Sequence, residues 1–285
     1  MVKLTDGDLA RIKPFFGHTK DTMILSCIEG CMGEAWADNR ENPTAVQIIV
    51  ADFSFFGGDS KSNQASELIH NTGECQHDYL ILVPPDEKWA TLIEKQYGEH
   101  QERCSRYFIK KEGDVFDRQK LEGFVNSLSP EYTIKKIDRE LYARCAQSKW
   151  SSDFGRWYKD YEDYEKHGVG FVIMHGDLPV AGASSYTWYN GGIEIEIDTK
   201  KDYQRHGLAT VCASAIILEC LKNGIYPSWD ADNMKSVELS EKLGYHMEKE
   251  YISYFVNCSA HLKKMEDLAL QSCDHKCKKG VQNLL

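Results

Sequence analysis

Three carboxylates alternate with three isoleucines in Ile193-Glu194-Ile195-Glu196-Ile197-Asp198. A period of two is that of a half-buried strand, with the isoleucines on one face and the acids on the other. Acids gathered on one face repel each other, and a buried member then stays protonated to higher pH, toward the range useful for taking a proton from an ammonium. Glu194, Glu196 and Asp198 are therefore candidate proton acceptors; the plainer reading of each is a solvated sheet face. Six residues on, the turn Gln204-x-x-Gly207-x-Ala209 opens an almost wholly apolar run, residues 208–221, whose length and composition predict a buried helix. The first N–H groups of such a helix have no intrahelical partner and point outward together, which makes the turn a seat for an anion. Gly207 allows a close backbone approach or a positive φ, and Ala209 keeps the same approach uncrowded. Arg205 and His206 add positive character beside it, although His206 reads equally well as a solvated loop residue.

Elements that would position these groups follow from periodicity and breakers. In the second half, residues 132–137 read as a strand, 139–145 as a short helix and 154–166 as a longer helix carrying Trp157, Tyr158, Tyr161 and Tyr164. A hairpin, 170–174 and 180–189, turns through Asn190-Gly191-Gly192 into the acid-bearing strand. After the apolar helix come a strand at 226–231, a helix at 233–243 closed by Gly244, and a last strand at 250–256. The first half runs in a similar order. A capped helix stops near Pro14 and a second starts at Asp21; strands follow at 33–38, 45–56 and 78–83, then a helix at 87–97, a strand at 106–111 and a helix at 117–128. Gly57-Gly58 forms a turn there, with no buried helix expected after it.

The turn Gln204-x-x-Gly207-x-Ala209 resembles motif A of the GNAT acyltransferases, Q/R-x-x-G-x-G/A, which holds the pyrophosphate of acetyl-coenzyme A. Downstream, Asn233-x-x-Ser236 leading to Glu241-Lys242-Leu243-Gly244-Tyr245 resembles the family's second signature, N-x-x-A/S ending in K-L-G-F/Y. Both stand in the expected order and on the expected elements. The resemblance implies an α/β fold with a mixed central sheet flanked by helices over residues 130–257, preceded by a degenerate GNAT-like half at 1–129 and followed by a tail at 258–285. An unrelated α/β cap is the alternative for the first half.

It further implies an N-acetyltransferase that uses acetyl-CoA and passes the acetyl group directly to a small amine. Glu194 is then the first choice of general base and Glu196 the second. Backbone groups at Ile197, Asp198 and Thr199 would meet the pantetheine arm, and Gln204, Arg205, His206, Gly207, Leu208, Ala209 and Thr210 would hold the pyrophosphate, with Asn233 and Ser236 near the coenzyme. One departure stands out: where many members carry a tyrosine that protonates the leaving thiolate, this chain has Ser240. Tyr245 and Tyr254 are conceivable substitutes that read first as packing residues. The competing reading is a non-catalytic GNAT-like protein that binds the coenzyme or a partner. In the resemblance, the aromatic residues of 154–166 close over the acceptor and would favour a cationic amine, unless they are core.

The 285 residues suffice for two ordinary domains. An apolar share of 42% with 27% charged residues is that of a soluble globular protein, and no apolar run approaches the roughly 20 residues that span a bilayer. No signal-peptide core stands at the start, so a cytoplasmic protein is expected. A net charge of −10 argues against nucleic acid or an anionic membrane as partner. Whether the chain pairs as a homodimer is left open. A dinucleotide oxidoreductase fits poorly, because no G-x-G-x-x-G follows a strand. Ten scattered cysteines read as thiols rather than a disulfide framework. Cys27 and Cys31, at helical spacing, read as two small buried thiols, and Cys273-Asp274-His275-Lys276-Cys277 offers three ligands where a closed zinc site needs about four, so no metal is expected.

Overall fold

The run of alternating isoleucines forms the strand Gly192–Thr199, and its isoleucine face packs on the helix Leu208–Lys222. These elements belong to a computed structural model that describes residues 1–17, 19–74 and 78–259. Around the strand lies a five-stranded sheet in the order Tyr226–Ser228, Gly192–Thr199, Leu178–Tyr189, Gly170–His175, Tyr132–Lys136. Its pairs are antiparallel except the first, which is parallel because the helix Leu208–Lys222 carries the chain back between the two strands. Ile193, Val211, Cys212, Ile216 and Ile217 are buried together between sheet and helix. Cutting Ile216 back to alanine would cost about 2–5 kcal/mol, since little around it can collapse into the space. Asp138, Asp160 and Asn233 cap their helices by accepting backbone N–H groups, as their types at those positions predict.

The chain forms two compact units: one holds Met1–Thr5, Glu34–Cys104 and the described residues from Ile252, the other Asp6–Gly33 with Ser105–Tyr251. These lines differ from the halves 1–129 and 130–257 read in the sequence. The reason is that the helix Thr22–Ile28 is tied to the strand Leu178–Tyr189: Ser26 Oγ donates to Trp188 O at 2.5 Å, and next to that strand Asn190 N donates to Glu29 Oε2 at 2.8 Å. In the first unit the strands Glu34–Ala37, Ala45–Val50 and Phe53–Gly58 are antiparallel, and Phe53–Gly58 then pairs in parallel with Tyr79–Val83. Phe56 stacks on Trp89 of the helix Glu87–Tyr97 at 5.0 Å, in a core with Leu68, Ile69 and Ile93.

Four expectations change in detail. The single strand at 45–56 is two, turned at Ala51, whose φ of +54° places it in the left-handed region. A short helix, Ala65–His70, does follow Gly57-Gly58, with Ala65, Leu68 and Ile69 buried. The long helix at 154–166 is a turn at Ser152–Phe154 and a separate helix Tyr161–His167; Gly155, where a Cβ would lie 2.2 Å from the Tyr142 ring, breaks the run and Asp160 restarts it. The strand at 226–231 is interrupted at Trp229: Tyr226–Ser228 stays with Gly192–Thr199, whereas Asp230–Ala231 pairs with Phe108 and Tyr107. The tail motif at 273–277 lies outside the described residues.

Candidate active site

Parallel pairing between Gly192–Thr199 and Tyr226–Ser228 lasts three residues and ends at Glu194 opposite Ser228. Beyond that point, among the described residues, Ile195 to Thr199 pair on one side only, with Ser185 to Ala181. The strand edge facing away is left open, and among the described residues the buried Oγ1 of Thr199 has no hydrogen-bond partner. Asp198 is half-buried, accepts from the Thr199 N–H at 2.6 Å, and has its carboxyl pushed up by burial and by the nearby acids Asp153 and Asp232. The chain then bends into the turn at 204–207. Gln204 Nε2 reaches back to Thr199 O at 3.2 Å, and Arg205 and Gly207 take φ values of +66° and +79°. For Gly207 this conformation is natural; for Arg205 it costs about 1 kcal/mol, a strain of the kind held at functional turns. The first hydrogen bond of the helix runs from Val211 N to Gly207 O at 3.3 Å, so the amides of Leu208, Ala209 and Thr210 precede the ladder. Arg205, His206 and Gly207 are exposed, and a Cβ on Gly207 would meet nothing within 4 Å. The turn is an open shelf of donors.

On the acid face, Glu194 is only 5% exposed. Burial, then the charges of Asp230 and Asp21, push its carboxyl up to about 8, against the opposing pull of the Thr22 hydrogen bond and of Arg106. Thr22 Oγ1 donates to Glu194 Oε2, while Oε1 is buried with no hydrogen-bond partner among the described residues. Asp21, which caps the helix Thr22–Ile28 through the amides of Met23 and Ile24, is pushed up to about 7, again first by burial and then by Asp230. Asp230 is held by Arg106, whose Nε and Nη2 both lie 2.7 Å from Oδ1, and by Tyr251 OH at 2.9 Å. Residues 20–23, 108–111, Glu194, Tyr226 and 228–230 line a cavity of about 20 Å³, room for about one water. Lys111 lies at its wall, its ammonium 4.2 Å from the centre of the Tyr189 ring.

Not every expected group reaches this place. Glu196 and Asp198 share the acid face but do not raise Glu194; its acidic neighbours come from other elements, the helix cap at Asp21 and the displaced strand at Asp230. Asn233 is spent as a cap, Oδ1 accepting Ser236 N at 3.1 Å and Nδ2 donating to Asp232, and Ser236 Oγ accepts the Trp229 indole N–H at 3.0 Å. Ser240 is fully buried and donates to Val237 O, and Tyr245 is packed with its hydroxyl on Pro227 O at 2.6 Å. Tyr158 and Tyr164 are core, their hydroxyls on Ser185 and Ser184. Cys27 is buried and Cys31 partly exposed, both as thiols, so one of the two expected buried thiols is not. Sequence reasoning missed Asp21 and Thr22 as site residues, along with Arg106, Lys111 and Asp230. Asp21 carried a signal, but as a helix cap; the others lie on separate elements with no shared spacing.

The acid-bearing strand and the buried helix after the glycine turn lie where the sequence reading put them, and comparison with known proteins decides the family. The sequence model described as GNAT acetyltransferase matches residues 13–254. The chain belongs to the GNAT acetyltransferase family. This acetyltransferase is 31% identical over 261 residues to an uncharacterized N-acetyltransferase, YdfB, of Bacillus subtilis (strain 168), covering 89% of this chain and 97% of that protein. It is similar to a crystal structure of a GCN5-related N-acetyltransferase-like protein from Streptococcus suis 89/1591, at 38% identity and a TM-score of 0.82, covering 87% of this chain and 98% of that one. Its fold is shared with a tandem GNAT protein from the clavulanic acid biosynthesis pathway, at 8% identity and a TM-score of 0.54, covering 90% and 98%. The family match takes in residues of both compact units. Among the described residues no helix of the acetyltransferase is long and apolar enough to cross a membrane.

Proposed function

We propose that the protein transfers an acetyl group from acetyl-CoA to a small amine, with Glu194 as the general base. The observation that carries this is a buried carboxylate with one unpartnered oxygen, raised to about 8, on the strand that leads into the open turn at 204–207. The residues present fit the coenzyme: donors at Arg205 to Thr210 suit its diphosphate, and the orphaned Thr199 Oγ1 with the unpaired strand edge at 197–199 suits the amides of its arm. Bound there, the coenzyme supplies an activated thioester. The chain's part is to hold the acceptor and take its proton. The amine nitrogen bonds to the acetyl carbon, the carbon–sulfur bond breaks, and the proton lost by nitrogen goes to Glu194 Oε1, while the released sulfur takes a proton from solvent. An alkyl thiol titrates near 8.5, so it departs without a dedicated acid, and a serine at position 240 does not bar the reaction. The expected cytoplasmic setting belongs to the same proposal.

Ser240, tied inside the core, favours a second reading, a binder of the coenzyme without turnover. A panel of amines, polyamines, amino acids and aminoglycosides, each followed by thiol release from acetyl-CoA, separates the two. Acetylation of any panel member that is lost in Glu194→Gln supports the enzyme; coenzyme binding with no acetylation across the panel supports the binder.

A further inference from the structure

We propose that Thr22 is a positioning residue for Glu194, and that the segment Asp6–Gly33 completes the active site by bringing it there. The inference rests on the reading of Glu194 as base. Thr22 is the first residue of the helix Thr22–Ile28 and is itself buried. Its placement is fixed on both sides. Asp21 Oδ1 accepts the Met23 and Ile24 amides at 3.0 and 3.2 Å, and one turn on Ser26 Oγ holds the Trp188 carbonyl. A β-branched side chain on a pinned backbone has few rotamers left, so its hydroxyl aims in a set direction.

That hydroxyl has one proton, and it goes to Glu194 Oε2. It is the one side-chain hydrogen bond to this carboxylate among the described residues, and Oε1 is left as the oxygen without a partner on a residue that lines the cavity. The charged groups around Glu194 are Asp21 on the helix cap, Asp230 and Arg106 on the paired strands, and Lys111 at the cavity wall, with the neutral phenols of Tyr189, Tyr226 and Tyr245. Against two carboxylates that disfavour ionisation, the Thr22 hydrogen bond favours it. Thr187, the register partner of Glu194 across the sheet, also carries a buried hydroxyl, but that one has no partner among the described residues. Two threonines thus flank the acid, and one of them is bonded to it.

The test is an infrared titration of the purified full-length protein without coenzyme, with the Glu194 carboxyl band isolated as the difference between wild type and Glu194→Gln. In wild type the band is expected to titrate near 8. Thr22→Val is expected to move its midpoint up by about one pH unit, the size of one hydrogen bond to a charged group. Thr22→Ser, which keeps the donor, and Thr187→Val, which removes the unbonded hydroxyl, are expected to stay at the wild-type midpoint. A midpoint unmoved in Thr22→Val, or moved equally by Thr187→Val, overturns the role of Thr22 and leaves Glu194 as the base. If Glu194→Gln removes no band titrating above pH 6, both readings fall. Should the valine variant not fold, Thr22→Ala removes the same donor with a better helix former.

Discussion

Phe53–Gly58 and Gly192–Thr199 each close a run of antiparallel strands, and each then pairs in parallel over three residues with the strand after the next crossover: 53–55 with 81–83, and 192–194 with 226–228. Register makes Phe55 the counterpart of Glu194. Phe55 is a buried apolar side chain, whereas Glu194 places a carboxylate at the wall of a cavity. The crossovers differ in the same sense. The described residues 59–74 hold a helix of 6 residues whose cap, Gln64, makes no side-chain capping bond, while residues 200–225 hold one of 15 residues capped by Gly207 in the left-handed region. The strands that return differ too. Tyr79–Val83 is covered on its outer edge by residues 254–257, whereas the chain leaves Gly192–Thr199 at Trp229 and, among the described residues, the edge of 195–199 stays unpaired. One arrangement of strands therefore serves as packing where the gap is closed and leaves room for the proposed site where it is open.

Charge placed in the two turns should break the symmetry most sharply. Gly207→Glu is expected to weaken acetyl-CoA binding at least 100-fold by calorimetry, since it adds a negative charge to the donor shelf in a backbone conformation that suits glycine. Lys61→Glu, which makes twice that change of charge in the exposed counterpart turn, should leave affinity within about twofold; equal losses would mean that both units hold coenzyme. Glu194→Gln comes next, with a fall in kcat/KM of about 10²–10⁴ and coenzyme affinity retained. In wild type kcat/KM should rise with pH through about 8, as Glu194 ionises.

Stability should show the same ionisation with opposite sign. Glu194 and Asp21 both titrate higher in the folded chain than the ordinary carboxylate range, so their protonated forms favour folding. That stability is complete below about pH 4 and is lost as pH rises through about 7 and then 8. The melting temperature of wild type should fall across this window, and Glu194→Gln should flatten the upper part of the fall by a few degrees. The smallest effect is expected from Ser240→Tyr. Restoring the tyrosine would not restore an acid, because the site is fully buried, and overpacking should cost about 1–3 kcal/mol by denaturant titration with no gain in rate.

Much of this was legible before any coordinates. Alternation of Ile193, Ile195 and Ile197 fixes which face meets the apolar helix, and the glycine at 207 marks the turn, because both are local properties of the chain. Proton affinity at Glu194 was not legible in its causes. Its neighbours Asp21, Asp230 and Arg106 lie on three elements far apart in sequence, and Asp230 reaches it only because the strand breaks at Trp229. A run such as Tyr226 to Ala231 has the composition of one strand, and nothing local says that its two ends join different partners. Thr22 is similarly silent, since the first residue after a helix cap is unremarkable until the opposite wall is known.

The central claim is that the diphosphate sits on the amides of residues 205–210. Nitrogen-resolved NMR of the labelled protein titrated with coenzyme A tests it most directly. The account predicts that the largest shifts fall on the amides of Arg205, His206, Gly207, Leu208, Ala209 and Thr210, with those of residues 59–64 unmoved. Shifts centred on 59–64, with the first group unmoved, would contradict it.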